Sequence, residues 1–198
     1  HNSIEKNNII TFLLKMTDVL SDLNTTVSKS ALEKYIKLGI FKKINSTYIY
    51  NGIDIINFEF SEKIRKIIRD KEYIDENEFV FITIARLIKS KGIFDQLNAF
   101  KSLIRKSKVR LILIGDGPLK NDIEAFISNN NLNKFIIIKS QDTNIKEYLS
   151  ASDTLLNSSY SEGFSLISIE ALANQIPIIA SDIETHREII GNHALFYP

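Results

Sequence analysis

The chain reads as a doubly wound α/β domain on a parallel sheet, preceded by a smaller unit. Three observations carry that reading. From residue 79 onward, short apolar runs alternate with segments that are apolar on one helical face. The runs are rich in β-branched residues and lack polar alternation, as strands covered on both faces do. A hydrophobic fraction of 44% over 198 residues supplies one sizeable core.

FVFITIA (79–85) is the first strand, followed by GIFDQLNAFKSLIRKS with Ile93, Leu97, Phe100 and Ile104 on one face. RLILIG and the helix LKNDIEAFISNN come next, then FIIIKS and NIKEYLSAS. TLLNSS, SLISIEALAN, IPIIAS, ETHREII and ALFY complete the alternation, for about six strands. Upstream, residues 4–22 read as a helix, and NTTVS and STYIYN as strands around the helix ALEKYIKLGIF. One βαβ unit behind a helix is too little for an independent domain. The more charged stretch 53–78 reads as a partly helical connector. Its basic run KIRKIIRDK is expected to be a solvated helix face, with an anionic lipid surface as the alternative partner. The expected organisation is therefore an upstream unit (1–52), a connector (53–78) and a ligand-binding domain (79–198).

Composition excludes several classes. A net charge of +1 gives no gross electrostatic case for nucleic acid. Without cysteine there are no disulfides, thiol nucleophiles or thiolate metal sites, which fits a cytoplasmic setting or the inner face of a membrane. No apolar run approaches a membrane span, and no leader pattern is visible. His186 and His193 stand in no metal-ligand spacing and read as packing or surface residues.

In open parallel sheets ligands bind outside the carboxyl ends of the strands, and the unusual residues fall there. Arg86 and Lys91 follow the first strand, and GDGP, beginning at Gly115, follows the second. Ser140-Gln141-Asp142 follows the third, Ser161-Glu162-Gly163 the fourth and Ser181-Asp182 the fifth. In SEGFSLISIE (161–170), Glu162 is expected just before a helix and Glu170 about two turns inside it. Gly163, Phe164, Ser165 and Leu166 would offer free backbone N–H groups to an anion. Arg86 and Lys91 would neutralise a diphosphate, and the two carboxylates would accept from sugar hydroxyls. The blander readings are a dipole-complementing Glu162, a GDGP that is mainly a turn, and a Ser165 that caps its helix. No Asp-x-Asp pair occurs, so no metal clamp is expected. A dinucleotide-dependent oxidoreductase would need G-x-G-x-x-G after the first strand, whereas GDGPLK carries Lys120 at the third glycine's place.

The motifs ARLIKSKG, LILIGDGP, IKEYLSASD, SSYSEGFSLISIEALA, IPIIASDIETHREII and HALFYP, in this order, resemble the donor-binding half of a GT-B glycosyltransferase of retaining family 4. Upstream, TVSKSALEKY and YNGID resemble the segment leaving that family's first domain. The resemblance implies a Rossmann-like fold and a nucleotide-diphosphate sugar as donor, with no metal or further cofactor. It implies that Arg86 and Lys91 bind the diphosphate and that Glu162 positions the transferred sugar. The amides after Gly163 would support phosphate and sugar, Glu170 would hold the ribose, and Gln141 would border the base. It also implies an acceptor, glycan or lipid-linked, held by an N-terminal domain of which residues 1–52 are the tail. Such a piece would catalyse little by itself. Ser140, Ser158 and Gln175 depart from the family's usual glycine, proline and glycine. A nucleotide- or sugar-binding module without turnover is the competing reading.

Overall fold

The computed structural model describes residues 8–18 and 20–198. The first expected helix is seen as α1 (Asn8–Asp18), and residues 4–7 and 19 of that expectation lie outside the described residues. β1 (Asn24–Thr26), α2 (Lys29–Lys37) and β2 (Ser46–Tyr48) form a small parallel pair with Asn24 opposite Ser46. α3 (Glu62–Lys71) lies in the connector. Then come β3 (Phe79–Ile84), α4 (Ile93–Leu103), β4 (Val109–Ile114), α5 (Lys120–Asn129) and β5 (Ile136–Lys139). α6 (Ile145–Ala151), β6 (Thr154–Asn157), α7 (Leu166–Ala173), β7 (Ile178–Ser181), α8 (Glu184–Ile190) and β8 (Ala194–Tyr197) follow.

The six strands β3 to β8 form one sheet in the order β5-β4-β3-β6-β7-β8, with every pair parallel. The order reverses between β3 and β6, where a doubly wound sheet opens its ligand crevice. Alternation along the strands feeds two cores. Leu111 and Leu113 of β4 meet Leu97 and Phe100 of α4 and Ile123 and Ile127 of α5 on one face. Val80, Ile82, Ile112, Leu155 and Ile178 meet Leu149 of α6 and Ala171 of α7 on the other. Each fully buried leucine or isoleucine stabilises the fold by about 2 kcal/mol relative to exposure. No helix among the described residues is long and apolar enough to cross a membrane.

The connector helix corrects one expectation, because KIRKIIRDK is not simply a solvated face. Arg65 Nη2 and Arg69 Nη2 donate to the two oxygens of Asp153 at 2.5 and 2.7 Å. Asp153 also accepts from the Val80 amide at 2.7 Å. Arg65 Nη1 and Arg69 Nε reach the carbonyls of Ser150, Ser152 and Ala151 at the end of α6. Those carbonyls lack helical partners, so the arginines fill a standing need. Lys63, Lys66 and Lys71 remain exposed.

The departure at Gln175 also has a structural meaning. The Gln175 amide bonds to Leu172 O and the Ile176 amide to Ala171 O, the paired bonds that close a helix through a left-handed residue. Gln175 takes that conformation at φ 62°, where a side chain is strained. Gln175→Gly is expected to stabilise the protein by about 1 kcal/mol. Asp153→Asn, which strands two arginines, is expected to cost about 3 kcal/mol. Both effects should appear as shifts of the urea midpoint with the slope unchanged.

Candidate functional site

The site grows from the carboxyl end of β6, where Asn157, Ser158 and Ser159 are all buried. Ser159 Oγ donates to Glu162 Oε1 at 2.6 Å. The same oxygen receives Lys91 Nζ at 2.6 Å, and the two side chains are only 10% and 21% exposed. Ser158 Oγ donates to the Lys91 carbonyl and accepts from Gln96 Nε2, both at 2.7 Å. Gln96 Oε1 in turn accepts from Thr83 Oγ1 at 2.7 Å. Ser158, a departure from the proline that the resemblance leads one to expect, thus fixes the Lys91 turn through its hydroxyl. Gly92 ends that turn at φ 60°, and a Cβ there would lie 2.3 Å from the Ser158 carbonyl.

Asn157 holds the start of α7, donating from Nδ2 to Ser165 Oγ at 2.9 Å and to Ser168 Oγ at 3.3 Å. Ser165 makes no side-chain cap, because its hydroxyl is taken up with Asn157 and Ser168. The N–H groups of Gly163, Phe164, Ser165 and Leu166 find no acceptor among the described residues. Four unpaired donors make this helix start electropositive. α7 begins at Leu166, so Glu170 sits little more than one turn inside it and not two. The offset from Leu166 is about 6 Å. The Glu170 side chain is half-buried and has no hydrogen-bond or ion-pair partner among the described residues, and burial pushes its carboxyl above the ordinary value of 4.5.

Arg86 and Gly115 lie at the ends of β3 and β4, and Gln141 lies two residues beyond β5. These three line one cleft of about 390 Å³ together with Asp116, Ile84 and Ile145. Arg86 is exposed and makes no ion pair among the described residues. Gly115 is required for close approach, since a Cβ there would fall 1.9 Å from the Ala85 carbonyl. The structure thus forms two groups, Lys91 with Glu162 and Arg86 with Gly115 and Gln141. Sequence reasoning missed the apolar walls Ile84 and Ile145 and the role of Ser159. The signal available for Ser159 was a serine-rich run directly before a charged loop residue.

His186 is fully buried, bonds the Ser181 carbonyl through Nδ1 at 2.9 Å, and is held below the ordinary histidine value chiefly by burial. His193 is exposed. Both are the packing and surface residues expected. Among the described residues, no cluster of three His, Asp or Glu could hold a metal ion.

Residues 64–197 match the family described as glycosyl transferases group 1, and the chain belongs to that family. It is 30% identical over 185 residues to the N-acetyl-alpha-D-glucosaminyl L-malate synthase of Bacillus anthracis, covering 93% of this chain and 46% of that protein. It is 33% identical over 141 residues to the alpha-monoglucosyldiacylglycerol synthase of Acholeplasma laidlawii, covering 67% and 35%. Among solved structures, HepE of Anabaena in complex with UDP and glucose superposes with a TM-score of 0.87 at 19% identity, over 98% of this chain and 54% of that one. The chain spans less than half the length of these two curated relatives. The parallel six-stranded sheet and its GT-B relationship are those the sequence led us to expect.

Glu170 yields a pH-dependent prediction. A raised folded-state pKa means that the folded chain holds this proton more tightly than the unfolded chain. Its contribution to stability is present below 4.5 and lost as pH rises through the raised value. Glu170→Gln is therefore expected to raise the melting temperature at pH 7, with a gain that shrinks towards pH 4.5.

Proposed function

We propose that this chain is the donor-binding half of a retaining glycosyltransferase that uses a nucleotide-diphosphate sugar. The observation that carries the proposal is the row of unpaired amides at residues 163–166, set between the Lys91–Glu162 pair and the unpartnered Glu170. In this reading the base occupies the cleft of Arg86, Gly115 and Gln141, against the apolar walls of Ile84 and Ile145. Glu170 accepts from the ribose hydroxyls, and Arg86, Lys91 and the α7 amides carry the diphosphate. Glu162 faces the transferred sugar and orients it through its hydroxyls.

The chemistry that follows is displacement at the anomeric carbon. The acceptor hydroxyl forms the new carbon–oxygen bond on the face from which the diphosphate departs, and its proton passes to the departing phosphate oxygen. The fixed cations and amides stabilise the charge that develops on that oxygen, so no divalent metal is required. The name of one of these relatives includes diacylglycerol, which suits the acceptor class we propose, a glycan or lipid-linked one, selected outside residues 79–198. A cytoplasmic setting suits a chain without cysteine.

The test is calorimetric titration of this chain with UDP, GDP, ADP and CDP, with and without EDTA. One diphosphate should bind best, with an affinity that EDTA leaves unchanged. Arg86→Ala should then weaken that diphosphate by about tenfold to a hundredfold and leave the parent nucleoside nearly unaffected. Equal losses for both would contradict the phosphate contact. Binding without any transfer by a longer protein carrying the same residues would favour the module without turnover.

A further inference from the structure

The upstream unit touches the donor loop through a small set of polar contacts that the reaction scheme does not use. Glu188 of α8 accepts the Lys29 amide at 2.6 Å on one oxygen and the Ser30 amide at 2.8 Å on the other. These are the first N–H groups of α2, which have no partner within their own helix. Burial alone would raise the Glu188 carboxyl, but the bonds from Ser30, Lys29 and Tyr50 bring it below its ordinary value. Tyr50 answers in kind, its phenol pushed up to about 12 chiefly by the hydrogen bond to Glu188.

This docking presents two hydroxyls to the loop. Ser28 Oγ donates to the Gly163 carbonyl at 2.6 Å. Thr185 Oγ1 donates to the Glu162 carbonyl at 2.9 Å. With its proton so used, Thr185 receives that of Ser30 at 3.1 Å. Two successive carbonyls are thus pinned, Gly163 by the upstream unit and Glu162 by α8. The peptide bonds here are trans, and in a trans peptide the C=O and the following N–H point in opposite directions. Pinning the carbonyls of Glu162 and Gly163 towards α8 and α2 therefore turns the amides of Gly163 and Phe164 away from them. Those amides find no acceptor among the described residues.

We propose that Ser28 and Thr185 are positioning residues of the donor site, which fix the Glu162–Gly163 peptides so that the amides of Gly163 and Phe164 face the donor's anionic groups. The proposal rests on the donor-site reading above. It makes the site a joint product of the two units, because α2 must sit on Glu188 for Ser28 to reach the loop. Ser28 is fully buried and also caps its own helix through the Ala31 amide at 3.2 Å, so Thr185 is the cleaner probe.

The experiment compares wild type, Thr185→Val, Thr185→Ser and Ser28→Ala by calorimetry. The probes are the best-binding member of the panel UDP, GDP, ADP and CDP, and its parent nucleoside. Thr185→Val keeps the shape and removes the hydroxyl. It is expected to weaken the diphosphate by about tenfold while nucleoside affinity holds, and Thr185→Ser should restore the loss. Ser28→Ala, if folded by circular dichroism, should show the same split. Parallel losses of diphosphate and nucleoside, or unchanged diphosphate affinity in folded Thr185→Val, would overturn the positioning role and leave the donor reading standing. A wild-type chain that binds none of the four diphosphates would overturn the donor reading, and this proposal with it.

Discussion

Three consecutive buried polar residues at the end of β6 hold the site together. Asn157, Ser158 and Ser159 are each at most 7% exposed, and each secures a different piece. Asn157 fixes the start of α7, Ser158 the turn that carries Lys91, and Ser159 the carboxylate of Glu162. Burying polar side chains is unfavourable unless they are paired. The low-dielectric surroundings then strengthen the bonds that are made. A strand end that would otherwise be apolar core is thereby converted into a fixed frame for the loop beyond it. β6 is suited to this because it stands beside β3 at the reversal of strand order, where the crevice opens.

The charges of the site are held in two distinct ways. Lys91 and Glu162 satisfy each other, so the unliganded chain buries a pair and not two isolated ions. Glu170 has no such partner among the described residues, and its raised carboxyl records the cost of burial without compensation. An unpaired carboxylate and a row of unpaired amides on the same short helix are complementary needs. Donors and acceptors on a ligand would meet both, and none of the described residues does so.

The upstream unit contributes more than a tether. Its helix α2 is capped by a carboxylate of α8, and its Ser28 grips the loop before α7 directly. The connector is bound as firmly, through the paired arginines on Asp153. Both attachments use groups that helices leave unsatisfied at their ends: the N–H groups of α2 and the carbonyls of α6.

Much of this molecule is legible in one dimension. The apolar runs and helical faces from residue 79 onward state a covered parallel sheet, because burial on both sides is a local pattern repeated at every strand. Parallel strands also place Arg86, Gly115, Gln141 and Glu162 on one rim without further information. The length of α7 was less legible, since Ser165 reads as a helix opener while its hydroxyl is drawn to Asn157 and Ser168. Only the tertiary structure decided who pairs with whom. Lys91 and Glu162 stand 71 residues apart, Ser28 and Gly163 135, and Lys29 and Glu188 159. No periodicity encodes contacts at such separations. They arise when packing brings buried polar groups together and desolvation obliges each to find a partner.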